Sequence, residues 1–152
     1  KNEQDKADYQ FVSESQFKGM ISNSEFLEWA MVHGDYYGSP KKFVLDNLAQ
    51  GRDILLELDV QGGLQIKGKY PRDTVLLFVL PPDLDELEKR LRDRATDSAE
   101  VIEKRLFNAR MELKFVDCYD YLLVNDDLTR AYDSLETIIR AEQLKTYRYL
   151  EL

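Results

Sequence analysis

Cysteine and histidine are nearly absent: Cys118 and His33 are the only ones in 152 residues. A single cysteine excludes an intramolecular disulfide and a thiolate metal cluster, so Cys118 reads as a buried structural thiol. A single histidine leaves no basis for a histidine-built zinc site or a Ser-His-Asp triad. Long apolar runs are missing too. None approaches the roughly 18 residues of a membrane span. Lys1 opens no charged-then-apolar leader, and the chain reads as soluble and cytoplasmic. Positive charge is in deficit, with 21 basic against 29 acidic residues and a net charge of −8. That balance excludes a broad nucleic-acid surface held by phosphate neutralisation. An anionic ligand has to meet a local cluster of positive charge instead, and Arg90, Arg92, Arg94 and Arg105 supply one.

No repeat, low-complexity stretch or Gly/Ser linker interrupts the chain, and its four prolines punctuate elements without marking a boundary. With 43% hydrophobic residues, the length fits one domain with a small inserted lobe. Ser13 and Gln16 form a capping box that predicts a short helix carrying Phe17, Met20 and Ile21 on one side. A second helix is expected from Pro40 to Gly51, with Phe43, Val44 and Leu48 turned inward. The nearly continuous apolar runs Ile54 to Val60 and Val75 to Leu80 predict strands buried on both faces. Asp83 with Glu86, and Asp97 with Glu100, are expected to cap two further helices, the latter striped by Ile102, Leu106, Ala109, Leu113 and Val116. Tyr121 to Val124 predicts a third buried strand. A last helix is expected from about Thr129, with Ala131, Leu135, Ile138 and Ile139 inward. Alternating strands and helices imply an α/β fold, a parallel sheet covered by helices, with ligands beyond the carboxyl ends of the strands. Glu57, Asp59, Pro81 and Asn125 fall at those ends.

Two groups of residues carry candidate chemistry. Glu57 and Asp59 are two apart on one strand face. Carboxylates gathered there need basic partners, or a metal ion and a ligand's donors, to offset their desolvation. Arg90 and Arg94 are four apart on one helix, and Arg105 follows on the next. Converging guanidiniums make sense around a polyanion, since the planar fork matches phosphate oxygens in two-point contact. The plainer alternatives are a structural ion pair for the carboxylates and, for the arginines, a solvated face paired with Asp93, Asp97 and Glu103.

The longer strings are more specific. EFLEWAMVHGDYYGS (Glu25 to Ser39) followed by LLELDVQGG (Leu55 to Gly63) resembles the guanylate kinase family, in the family's order and separation. DYQFVS, the Pro81-Pro82 pair, RDRATDS, EKRLFNAR and YDYLLVNDDL agree, so the resemblance covers nearly the whole chain. It implies a nucleoside monophosphate kinase fold of the phosphate-loop type: a GMP lobe at 1–52, a core at 53–88 and 118–152, and a helical lid with its following helix at 89–117. It also implies phosphoryl transfer from ATP to GMP. Tyr9, Tyr37, Gly38 and Ser39 would then hold the GMP phosphate and ribose. Glu28 would read guanine through its N1–H and 2-amino donors, and Asp59 would complete the site. Glu57 would support magnesium through water, Arg94 and Arg105, with Arg90 nearby, would close over the transferred phosphate, and Asn125 and Asp126 would lie near the ATP adenine. The implied partners are GMP, ATP and Mg2+, with no nucleic acid or membrane, in a monomer or homodimer.

Asp35, Gly63 and Ala95 depart from the family pattern, where asparagine, alanine and glycine are usual. The larger departure is that no G-x-x-x-x-G-K-[ST] run occurs, although the family wraps the ATP phosphates in that loop. The family sheet also places that loop's strand between the runs at Ile54 and Val75. The resemblance therefore implies a chain that begins inside the family's protein, and one inactive by itself if these residues are all there is. The competing readings are a guanylate-kinase-like module that binds phosphorylated peptides without catalysis, and a kinase of another monophosphate; Arg94, Arg105 and the Asn125 loop argue against the first and Glu28 against the second.

Overall fold

The computed structural model describes residues 9–32, 34–93 and 98–148. The chain divides after Thr74 into two compact units.

The first unit begins with α1 (Glu14–Ser22), capped as its sequence requires: the Ser13 side chain accepts from the Gln16 amide while Gln16 reaches back to the Ser13 amide. Strands β1 (Phe26–Val32) and β2 (Asp35–Pro40) form an antiparallel hairpin. Its register slips between Phe26 and Glu28, which pair with Pro40 and Ser39. A bulge of this kind re-aims side chains, and here Phe26, Leu27 and Glu28 are all buried, which strict alternation would forbid. Phe26 stacks on Phe17 at 4.4 Å between ring centres, Leu27 joins Val44 and Ile66 in the core, and Glu28 turns towards α3 (Val60–Lys69).

Helix α2 (Lys41–Leu48) starts where Pro40 predicts, but only Val44 is buried on it. Phe43 is 59% exposed and Leu48 is 41% exposed, because a helix of barely two turns presents a single residue squarely to the core. The strand expected at Ile54 to Val60 is not formed: 53–59 is irregular and α3 begins at Val60. Alternation survives without a ladder, with Leu56 and Leu58 against the core while Leu55 and Glu57 are exposed. A strand exists only through pairing, and among the described residues this segment pairs with no other strand.

The second unit holds β3 (Leu77–Leu80) and β4 (Tyr121–Val124), paired in parallel with Leu77 opposite Tyr121. β3 is two residues shorter at its start than the run suggested, and Val79 is 54% exposed rather than buried. Asp120 fills the gap: its carboxylate accepts from the Leu76 amide at 2.8 Å. Helix α4 (Leu84–Asp93) is capped by Asp83, which accepts from the Glu86 amide at 2.7 Å. Helix α5 (Ala99–Glu112) is capped by Ser98, not by the expected Asp97, which lies outside the described residues. Leu91, Ile102 and Leu106 form the core between α4 and α5. The α5 stripe ends in a 3-10 turn, 113–118, which leaves Cys118 exposed rather than buried. Helix α6 (Leu128–Gln143) buries Ala131 as expected but leaves Ile139 38% exposed.

Candidate functional site

The hairpin and the start of α3 bring two carboxylates together inside the first unit. Glu28 is 4% exposed, and its Oε1 accepts from the Ser39 hydroxyl at 2.7 Å, across the ladder position where the two residues pair. Asp59 caps α3, its Oδ1 accepting from the Gly62 amide at 2.8 Å. Gly62 lies under both carboxylates: a Cβ there would be 2.8 Å from Glu28 Oε2 and 3.2 Å from Asp59 Oδ1. The sequence put Asp59 beside Glu57 on a strand; the structure puts it beside Glu28 at a helix start, with Glu57 exposed.

Burial pushes the Glu28 carboxyl above its ordinary value of 4.5; the Ser39 hydroxyl and amide pull it back, the Asp59 charge adds to the rise and the Lys69 charge opposes it. Lys69 is placed by its Nζ, which donates to the Leu27 carbonyl at 2.9 Å. The first turn of α3 also favours negative charge nearby. The result is a desolvated, acceptor-only group held in one orientation and suited to a ligand edge that offers two donors.

Around it, Tyr9 and Tyr37 meet edge to face at 5.9 Å between ring centres, so the hairpin brings two of the expected phenols together. Gly38 is wedged by packing: a Cβ there would be 2.8 Å from the Phe26 ring and 3.1 Å from the Glu28 carbonyl. His33 lies outside the described residues.

The second unit presents its own polar cluster. Arg90 on α4 donates from Nη1 to the Asn125 carbonyl at 2.9 Å and from Nε to Glu86 at 2.8 Å. It thereby ties α4 to the loop after β4. Asp126 in that loop pairs with Arg130 at 2.8 Å. Arg105 is half-buried on α5, and Arg94 lies outside the described residues. Among the described residues no three carboxylate, histidine or cysteine side chains gather to cage a metal. A single exposed carboxylate such as Glu57 does fit magnesium, which binds through few protein ligands and keeps water and phosphate in its shell.

The guanylate kinase family profile matches residues 1–142. The chain belongs to the guanylate kinase family. It is 50% identical over 140 residues to a guanylate kinase of Carboxydothermus hydrogenoformans, covering 92% of this chain and 68% of that protein. It is 46% identical over 150 residues to one of Caldanaerobacter subterraneus subsp. tengcongensis, covering 99% of this chain and 72% of that protein. A crystal structure of guanylate kinase from Anaplasma phagocytophilum superposes with a TM-score of 0.83 at 35% identity, over 96% of this chain and 71% of that one. The α/β phosphate-loop kinase fold expected from the strings is thus the fold of this chain, with β3 and β4 as its parallel pair.

Two contacts around Glu28 are not legible in the sequence. The Ser39 hydroxyl, a candidate for the phosphate and ribose, donates to the Glu28 carboxylate in the structure. Gly62 carried no assignment, because nothing local marks a glycine that must make room for a side chain 34 positions earlier.

Proposed function

We propose that the protein is an ATP-dependent kinase of GMP, with the first unit reading the guanine. The observation that carries this is the buried Glu28 carboxylate, held by Ser39 and flanked by Asp59. Guanine's N1–H and 2-amino group can both donate to it, whereas adenine offers no such pair on that edge. A base without those donors would leave a desolvated carboxylate unpaired, which is the kind of penalty that gives large discrimination.

Tyr9, Tyr37 and Ser39 carry hydroxyls suited to the GMP ribose and phosphate, with Gly38 keeping the hairpin close-packed beneath them. Asp59 completes the site. Arg94 and Arg105 would gather positive charge about the moving phosphoryl group, and Arg90 would hold the Asn125–Asp126 loop on the adenine side. Phosphoryl transfer asks little covalent work of a protein, so positioning and charge do most of the catalysis. Mg2+ bound with ATP would neutralise phosphate charge, with Glu57 supporting it through water.

The GMP lobe would be 1–52, the core 53–88 and 118–152, and the lid 89–117. The reaction would run in the cytoplasm, in a monomer or homodimer with no nucleic-acid or membrane partner. Among the described residues no helix is long and apolar enough to cross a membrane. The run G-x-x-x-x-G-K-[ST] is not among these 152 residues, so they are expected by themselves to bind GMP without transferring phosphate. ADP formation by a protein that carries the phosphate loop tests the reading: turnover should require GMP and be insensitive to AMP; absence of turnover with GMP would favour a non-catalytic module, and turnover with another monophosphate in place of GMP would contradict guanine reading.

A further inference from the structure

We infer that Gly62 is a positioning residue for base recognition, its lack of a side chain letting the Glu28 carboxylate lie against the first turn of α3 within reach of Ser39. Helices disfavour glycine relative to alanine, so a glycine near a helix start invites a reason. Backbone conformation is not that reason: among the described glycines only Gly34 and Gly51 have positive φ. Space is. A Cβ at Gly62 would be 2.8 Å from Glu28 Oε2, 3.2 Å from Glu28 Cδ and 3.2 Å from Asp59 Oδ1.

Something must yield to an added methyl, and the structure decides what. The turn is fixed by two bonds, Gly62 amide to Asp59 Oδ1 at 2.8 Å and Gly63 amide to the Asp59 carbonyl at 3.0 Å. β1 is fixed by its ladder to β2. The end of the Glu28 side chain is the soft element, and a swing there gives up its 2.7 Å contact with Ser39. Alanine at 62 therefore favours the helix but disturbs the Glu28 carboxylate, and the gain shows by itself once Glu28 is truncated. A residue needed only for folding would not separate the two effects.

The nucleotide arm of the test rests on Glu28 reading guanine; the other arms do not. In Gly62→Ala we expect a ligand-free crystal structure with the Ser39 hydroxyl out of hydrogen-bond reach of Glu28, and GMP bound about tenfold more weakly by calorimetry with ATP unaffected. In a Glu28→Ala background the same change should raise Tm and leave GMP affinity where Glu28→Ala alone puts it. An intact Ser39–Glu28 contact in Gly62→Ala would overturn the inference, as would a fall in Tm that persists after Glu28 is truncated. If GMP binding proves indifferent to Glu28→Ala, guanine reading fails, while the ligand-free contact and the two Tm values still decide the role of Gly62.

Discussion

Ser39 donates its hydroxyl to the Glu28 carboxylate at 2.7 Å, from the opposite strand and at the ladder position where a bulge has turned Glu28 into the protein. That bond, with one from the Ser39 amide, satisfies a carboxylate just 4% exposed. Ser39→Ala should therefore let the Glu28 carboxyl rise further, since the hydroxyl now lowers it. It should weaken GMP binding by about 10-fold, the scale of one hydrogen bond to a charged group. Carboxyl-selective NMR titration and calorimetry measure the two effects. Unchanged titration of Glu28 would show that Ser39 does not hold it.

The raised Glu28 carboxyl gives stability and binding opposite dependences on pH. Below the ordinary value of 4.5 the group is protonated folded or unfolded and costs nothing. As pH rises from there through the elevated folded value, the native state holds a proton the unfolded chain has released, so this group's contribution to stability falls. Glu28→Gln should remove that slope from a Tm series. GMP binding needs the ionised carboxylate as a double acceptor, so GMP affinity should drop as pH falls through the elevated value, at a higher pH than for an ordinary glutamate. A GMP affinity flat across that range would contradict the assignment.

Arg90 is expected to act on ATP and not on GMP. Its guanidinium holds the Asn125 carbonyl at 2.9 Å while Glu86 fixes its other edge at 2.8 Å. Arg90→Ala should release the loop after β4 and raise the KM for ATP by roughly 3- to 10-fold, a hydrogen-bond-sized effect discounted for solvent exposure. GMP affinity should stay the same. A change of equal size in both would place Arg90 elsewhere in the mechanism.

A second buried carboxylate belongs to stability alone. Glu142 is 5% exposed at the end of α6, and its Oε1 accepts from the Tyr121 hydroxyl at 2.6 Å and pairs with Lys145 at 2.7 Å. Burial by itself would raise its carboxyl, but the bonds from Lys145 and Tyr121 outweigh that and hold it below the usual range. Tyr121→Phe removes one donor and should lower Tm by about 2–4 °C, the response of a chain this long to losing a single such bond. Because a depressed carboxyl stabilises above its unfolded value and ceases to as pH falls through its folded value, the deficit should shrink in acid. Nucleotide affinities should not move.

Local rules in this chain were legible from sequence, and long-range ones were not. The capping box at Ser13 and Gln16 and the cap at Asp83 form as read, because each is specified within a few residues. Tyr121 to Val124 does form a strand, through its pairing with β3, but not the buried one expected: Leu122 is 53% and Val124 45% exposed. Ile54 to Val60 misled because apolar content reports burial and cannot report a ladder partner; Leu56 and Leu58 are indeed against the core, without a strand. Phe43 misled because two turns of helix leave little room for an inward stripe. Glu28 was recognisable only through the longer string around it. Its contact with Gly62 required the bulge, the hairpin and α3 to be in place together.

The most direct measurement is a crystal structure of the protein with GMP bound. Guanine N1 and its 2-amino nitrogen should both lie within about 3 Å of the Glu28 carboxylate, with Ser39 and Asp59 beside the base. A purine seated away from Glu28, with that carboxylate still closed on Ser39 alone, would contradict it.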